Sequence, residues 1–192
     1  MPDTTTDHRR ATAERNVEAI LDATEALLAR GAAASTSAVA AQAGVSRVTV
    51  YAHFATREAL LEAVVERVVR RATAAIAAAR IETGTPLEAL ERLVAAAWGE
   101  LERNRVVAQA ASEQLSPAAL TRSHEALHEP IAALIRRGQD EGEFRDDLPA
   151  GWLVASYFAL MHACGEEVRA GRLPEGDAVR TLQATLRGIF ER

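Results

Sequence analysis

A single cysteine, Cys164, stands in this 192-residue chain, so no internal disulfide can form and a reducing compartment is the natural setting. Lysine is missing altogether: all 22 basic residues are arginine. We read that bias as codon usage before function, because no single site requires lysine. Aromatic residues make up only 4% of the chain, glycine and proline are modest, and alanine is abundant. Sheets are thereby disfavoured and helices favoured. The first fifteen residues, MPDTTTDHRRATAER, hold no apolar segment, which speaks against a secretory leader. Residues 148–165, LPAGWLVASYFALMHACG, approach membrane-span length without formal charge. They include Pro, two Gly, Ser, Tyr and His, and no second span accompanies them. A buried helix of a cytoplasmic protein is therefore expected there, and no membrane partner.

Acidic residues are missing from one window. The chain holds 27 of them and has a formal net charge of −5. Between Glu25 and Glu58, however, 32 consecutive residues contain no Asp or Glu. An even spread would put about four or five there. The window includes AGVSRVTVYAHF, with Arg47, Tyr51 and His53 close together. The first 57 residues balance six acids against six arginines, so the acidic excess lies in the remainder.

What is present reads as helix throughout. Val17, Ile20, Leu21, Thr24, Leu27 and Leu28 have amphipathic spacing over 13–30, and Gly31 ends that helix. Ser35 or Thr36 caps a short helix reaching Ala43, with Val39 and Ala40 facing inward. Gly44 breaks the chain, and Ser46 caps a third helix running to about His53. Thr56 caps a fourth, with Glu58 in the first turn where the dipole favours an acid. TGTP at 83–86 is strong punctuation. Helices are then expected from Leu87 to Leu101, over 105–115, over 117–137 with an interruption or kink at Pro130, from about 150 to 169, and after a cap at Asp177. No strand alternation is visible. The fold class is all-α with about nine helices: an arm at 1–11, a three-helix N-terminal domain at 12–72 and a second helical domain at 73–192.

Two short helices joined by a glycine turn make a helix-turn-helix, whose second helix enters the DNA major groove. Ala40 is small enough for the two helices to cross closely, and Gly44 adopts the turn conformation at little cost. Ser46 opens the second helix with free N–H groups, a natural phosphate site. Arg47, Val48, Thr49, Tyr51 and His53 follow. Arginine reads guanine edges, Val and Thr touch a thymine methyl, and hydroxyls grip phosphates. Acids are absent because phosphates come close.

At these residues the chain resembles the TetR/AcrR family of bacterial transcriptional regulators. The matches are Gly31, Ser35, Val39-Ala40, AGVS at 43–46, Thr49, Tyr51, Phe54 and REALL at 57–61. GEFRDDLP resembles the turn before the family's last two helices. Val48 stands where the family often has Gly, and Arg57 where Lys is common. The resemblance implies a repressor that binds a palindromic double-stranded DNA operator as a homodimer and answers to a small-molecule effector. It also implies dimerisation through the last two helices. On the second helix pair, Ala155, Ala159 and Ala163 recur every four residues, and Val179, Leu182, Leu186 and Ile189 form a stripe.

Other features admit two readings. Ser35 and Arg57 join the DNA-facing candidates. Trp98, Gln109, Glu113, His124, His128 and Trp152 are candidate effector contacts, polar groups interleaved with apolar faces. Either tryptophan could equally fill core. His124 and His128 sit one turn apart, but a protein-only metal site wants three or four ligands, so no metal is expected. Arg9 and Arg10 suit a minor-groove arm or a frayed terminus. Cys164 reads as inert. No nucleophile with base and orienter, no phosphate loop and no cofactor motif emerges, so enzyme activity is not expected. The alternative is a helical small-molecule-binding module or enzyme with a structural N-terminal hairpin.

Overall fold

The computed structural model describes the backbone of residues 4–192, and every side chain in that range except those at 4–7, 9, 112, 117 and 120–125. The described chain is carried by α-helices: α1 (Thr4–Ala29), α2 (Thr36–Ala43), α3 (Arg47–His53), α4 (Arg57–Ala78), α5 (Pro86–Arg103), α6 (Arg105–Gln114), α7 (Pro117–Asp140), α8 (Ala150–Arg169) and α9 (Ala178–Phe190). A 3-10 turn at Glu175–Asp177 precedes α9. No strand occurs among the described residues, and a lone antiparallel bridge joins Phe144 to Glu191. The all-α expectation holds.

Local chemistry explains most helix limits. Ser35 caps α2 by accepting from the Ala38 N–H at 3.2 Å, and Thr56 does the same for Ala59 at 3.0 Å. Thr85 and Glu88 form a reciprocal capping box at the start of α5, with Pro86 in the first turn. Two limits differ from the sequence reading. The segment 1–11, expected as an arm, is helical from Thr4. No glycine or proline interrupts it there, the Thr12 hydroxyl donates to the His8 carbonyl at 2.9 Å, and Arg10 pairs with Glu14 one turn on at 3.1 Å. Asp177 stands at the cap position of α9 without capping a backbone N–H. Its carboxylate takes a hydrogen bond from Arg180 at 2.8 Å instead. Helix α7 continues through Pro130.

The helices group into two units. The first holds the chain up to Arg67 together with Val106–Ser123. The second holds Val68–Arg105 and His124–Arg192. The division between Arg67 and Val68 falls inside α4, a helix of 22 residues. Within the first unit, Ile20, Leu21, Leu27 and Leu28 of α1 are buried along with Val39 and Ala40 of α2, Val50 of α3, and Leu60, Leu61 and Val64 of α4. In the second unit the buried residues include Leu90, Leu93, Val94 and Trp98 of α5 and Ile131, Leu134 and Ile135 of α7. Leu153, Tyr157 and Met161 of α8 and Leu182, Leu186 and Phe190 of α9 complete that core. Leu182 and Leu186 thus lie inside their own unit and do not form an outward stripe. The turn between α7 and α8 is pinned by Phe144, whose ring meets Phe190 edge-on at 5.7 Å. Gln139 also reaches the Arg145 and Leu148 carbonyls there, each at 3.0 Å.

Candidate nucleic-acid interface

The site is built on one turn. Gly44 takes the left-handed conformation (φ 68°, ψ 26°), which a side chain would resist. The Val45 N–H then reaches back to the Ala40 carbonyl at 3.1 Å. Ser46 stays extended and caps α3, accepting from the Thr49 N–H at 3.0 Å. Its hydroxyl is also 2.8 Å from the Thr49 hydroxyl. A helix of seven residues has little stability of its own. Its attitude comes from α1 and α2, on which it packs, with Val50 only 1% exposed as the inward anchor.

The outward face is what Val50 leaves free. Val48 is 77% exposed and Tyr51 49%, an unusual amount of apolar surface for so short a helix. Ser35, Ser46, Arg47 and Arg57 are also exposed, whereas Thr49 and His53 are half-buried. His53 was expected on the open face. Its partial burial follows from its place in the last turn of α3, with its ring 6.4 Å from that of Phe54. Arg57 lies at the edge of a small depression formed with Leu28, Ala34, Leu60, Leu61 and Gln114. Hydrogen bonds from the Thr36 side chain and then Arg47 hold the Tyr51 phenol below its ordinary pKa. Thr36, read from sequence only as an alternative cap to Ser35, was not singled out as a contact. Only the crossing of α2 and α3 brings it to Tyr51. The result is a cluster of two hydroxyls and a guanidinium on a face whose surrounding 32 residues carry no acid. Such a cluster suits phosphate oxygens, and the adjacent Val48 suits a base methyl.

The candidate effector contacts are distributed over α5, α6, α7 and α8. Trp98 is 5% exposed and belongs to the core of the second unit. Gln109 and Glu113 are exposed on α6, with the Gln109 amide donating to the Glu113 carboxylate at 3.0 Å. His128 is exposed and stacks on Phe158 at 4.6 Å, and Trp152 is 61% exposed. The side chain of His124 lies outside the described residues. The amphipathic stripes of their helices turn the polar members outward and Trp98 inward. No helix among the described residues is long and apolar enough to cross a membrane.

Comparison with known proteins agrees with this geometry. Residues 20–64, which run from α1 through the turn into α4, match the sequence model of the bacterial regulatory proteins, tetR family. The chain is 31% identical over 175 residues to the HTH-type transcriptional repressor LfrR of Mycolicibacterium smegmatis, covering 90% of this chain and 89% of LfrR. It is 27% identical over 146 residues to the HTH-type transcriptional regulator NfxB of Pseudomonas aeruginosa, covering 76% and 78% of the two chains. The crystal structure of the TetR-like regulator LfrR from Mycobacterium smegmatis in complex with proflavine superposes with a TM-score of 0.68 at 29% identity. That match covers 90% of this chain and 94% of LfrR. A glycine turn, an acid-free reading face and near full-length similarity to a repressor converge on one conclusion: the chain belongs to the TetR family of bacterial transcriptional regulators.

Proposed function

We propose that the protein is a ligand-responsive repressor that binds a palindromic operator as a homodimer. The observation that carries the DNA-reading part is the outward face of α3, where Arg47, Val48 and Tyr51 are exposed inside a window free of acids. Arg47 and Val48 read base edges. Tyr51, Thr36, Ser35, Ser46 and Arg57 hold phosphates, and Thr49 and His53 flank them. The repressor assignment is supported by the similarity to LfrR.

The second unit carries the effector and dimer functions in this reading. Its α8 exposes Trp152, Ala155, Ala159 and Ala163. Small side chains at that spacing let another backbone come close, as in helix bundles with two-fold symmetry. Two recognition helices held about 34 Å apart would then meet successive major grooves. That LfrR was crystallised with proflavine supports a planar aromatic effector. For release, an effector must favour the non-binding spacing by about 1–3 kcal/mol or more.

Selection of the preferred duplex from a random DNA pool tests the proposal, with a palindromic sequence expected. On that duplex, Arg47→Ala should cost about 1–3 kcal/mol and relax the base preference at one position of each half-site. Tyr51→Phe should weaken all sequences alike. Unchanged operator affinity in both variants would remove α3 from the groove.

A further inference from the structure

We infer that Arg67 is a positioning residue for operator specificity, acting on the recognition helix through α1. The inference rests on the assignment of α3 to the major groove. Arg67 lies on α4, far along the chain from the reading face, and its side chain is 9% exposed. Its Nη1 donates to Glu18 at 3.1 Å and to Asp22 at 2.7 Å, and its Nε donates to Glu25 at 3.1 Å. Nη2 lies 2.9 Å from the Glu25 carboxylate but is poorly aligned for a hydrogen bond.

The three acids occupy successive turns on one side of α1, at spacings of four and three. Stacked in this way they repel one another, and one guanidinium reconciles them. The other side of α1 buries Ile20, Leu21, Leu27 and Leu28, and α2 and α3 pack on this helix. A rotation or slide of α1 therefore moves the surface that supports α3. Apolar packing alone is non-directional, whereas a planar fork bonded to three carboxylates fixes both rotation and height. Lysine, a point charge with one nitrogen, cannot replace that fork. Arg67 also lies among acids, on a patch of net negative charge, so it is no phosphate contact itself.

The test compares binding to the duplex selected by the wild-type protein with binding to bulk genomic DNA at fixed salt. Arg67→Met keeps the stem and removes the fork, and Arg67→Lys keeps the charge. Both should lower the ratio of specific to non-specific affinity by about tenfold or more, with non-specific affinity and its salt slope little changed. A folded Arg67→Met protein whose two affinities fall together, leaving the ratio intact, overturns the inference. So does a Lys variant that restores the ratio fully. Should Arg67→Met fail to fold, Glu25→Gln keeps the arginine and weakens one arm of the contact. Its ratio should fall by a smaller factor, and an unchanged ratio there counts against the proposal. A wild-type protein that selects no duplex at all would instead defeat the groove assignment itself.

Discussion

Ser46 serves two partners within one turn. Its oxygen takes the Thr49 N–H that α3 cannot satisfy internally, and it also meets the Thr49 hydroxyl. Replacing it by Ala should cost about 1 kcal/mol of stability, a typical value for a lost cap, read as a shift in urea midpoint at constant slope. Glycine at the same position should cost less, because it tolerates the cap conformation. Cys164 is the opposite kind of residue, one held out of chemistry. It is 7% exposed, its sulfur faces the Ala178 carbonyl at 4.0 Å, and burial pushes its thiol pKa up. Its reaction with a thiol-specific disulfide reagent should be slow in the native protein at neutral pH and fast in denaturant. Equal rates in the two states would mean that α8 opens readily around it.

Among the elements, the turn between α7 and α8 is the one whose sequence leaves least freedom. Gly138 sits against the Phe144 ring so closely that a Cβ there would fall 2.1 Å from a ring carbon. Phe144 cannot retreat easily: it is fully buried, it meets Phe190, and its N–H bonds the Gly138 carbonyl at 2.9 Å. Gly138→Ala should therefore destabilise the protein by about 1–3 kcal/mol, the usual cost of overpacking. Chemical denaturation measures it, and a stability equal to wild type would show that the ring has room to shift. The same elements show what a sequence can and cannot display. Caps at Ser46 and Thr56, the choice of Ser35 or Thr36, and the stop at Gly44 were legible because each depends on residues within three or four positions. The amphipathic face of α9 was equally visible, but its neighbour was not. Leu182 and Leu186 look the same in sequence whether they meet α5 and α8 of their own unit or another chain. Nor can a sequence say which of the effector candidates share a cavity, since a cavity is made by several helices at once. Thr36 and Arg67 were missed because their partners lie 15 and more than 40 residues away.

For the whole molecule, the proposed dimer rests on surface that the chain leaves uncovered. On α8, Ala155, Ala159 and Ala163 stay exposed, while Leu153, Tyr157 and Met161 of the same helix are buried. On α9 the exposed residues are Thr181, Ala184, Thr185 and Gly188, all small, between the arginines. Gly188 lies inside a helix, where it is about 1 kcal/mol less favourable than Ala. A Cβ built on it meets nothing within 4 Å, so its own chain gives no reason for glycine. Close approach of a second backbone would be such a reason. The two helices also separate two kinds of substitution. Ala159→Asp places a charge on the uncovered face and should leave each protomer folded. Leu186→Asp places it in a fully buried position of the unit's own core and should unfold that unit. Light scattering at micromolar concentration should give twice the chain mass of 20.6 kDa for the wild type and the single chain mass for Ala159→Asp. Circular dichroism should show native helix in the Ala159 variant and a loss of helix in the Leu186 variant. Operator affinity should fall steeply with the dimer, because each half-site is read by one protomer and the second contact is gained only through the linkage. A folded Ala159→Asp monomer that still bound the full palindrome tightly would show that pairing on α8 and α9 has no part in DNA recognition.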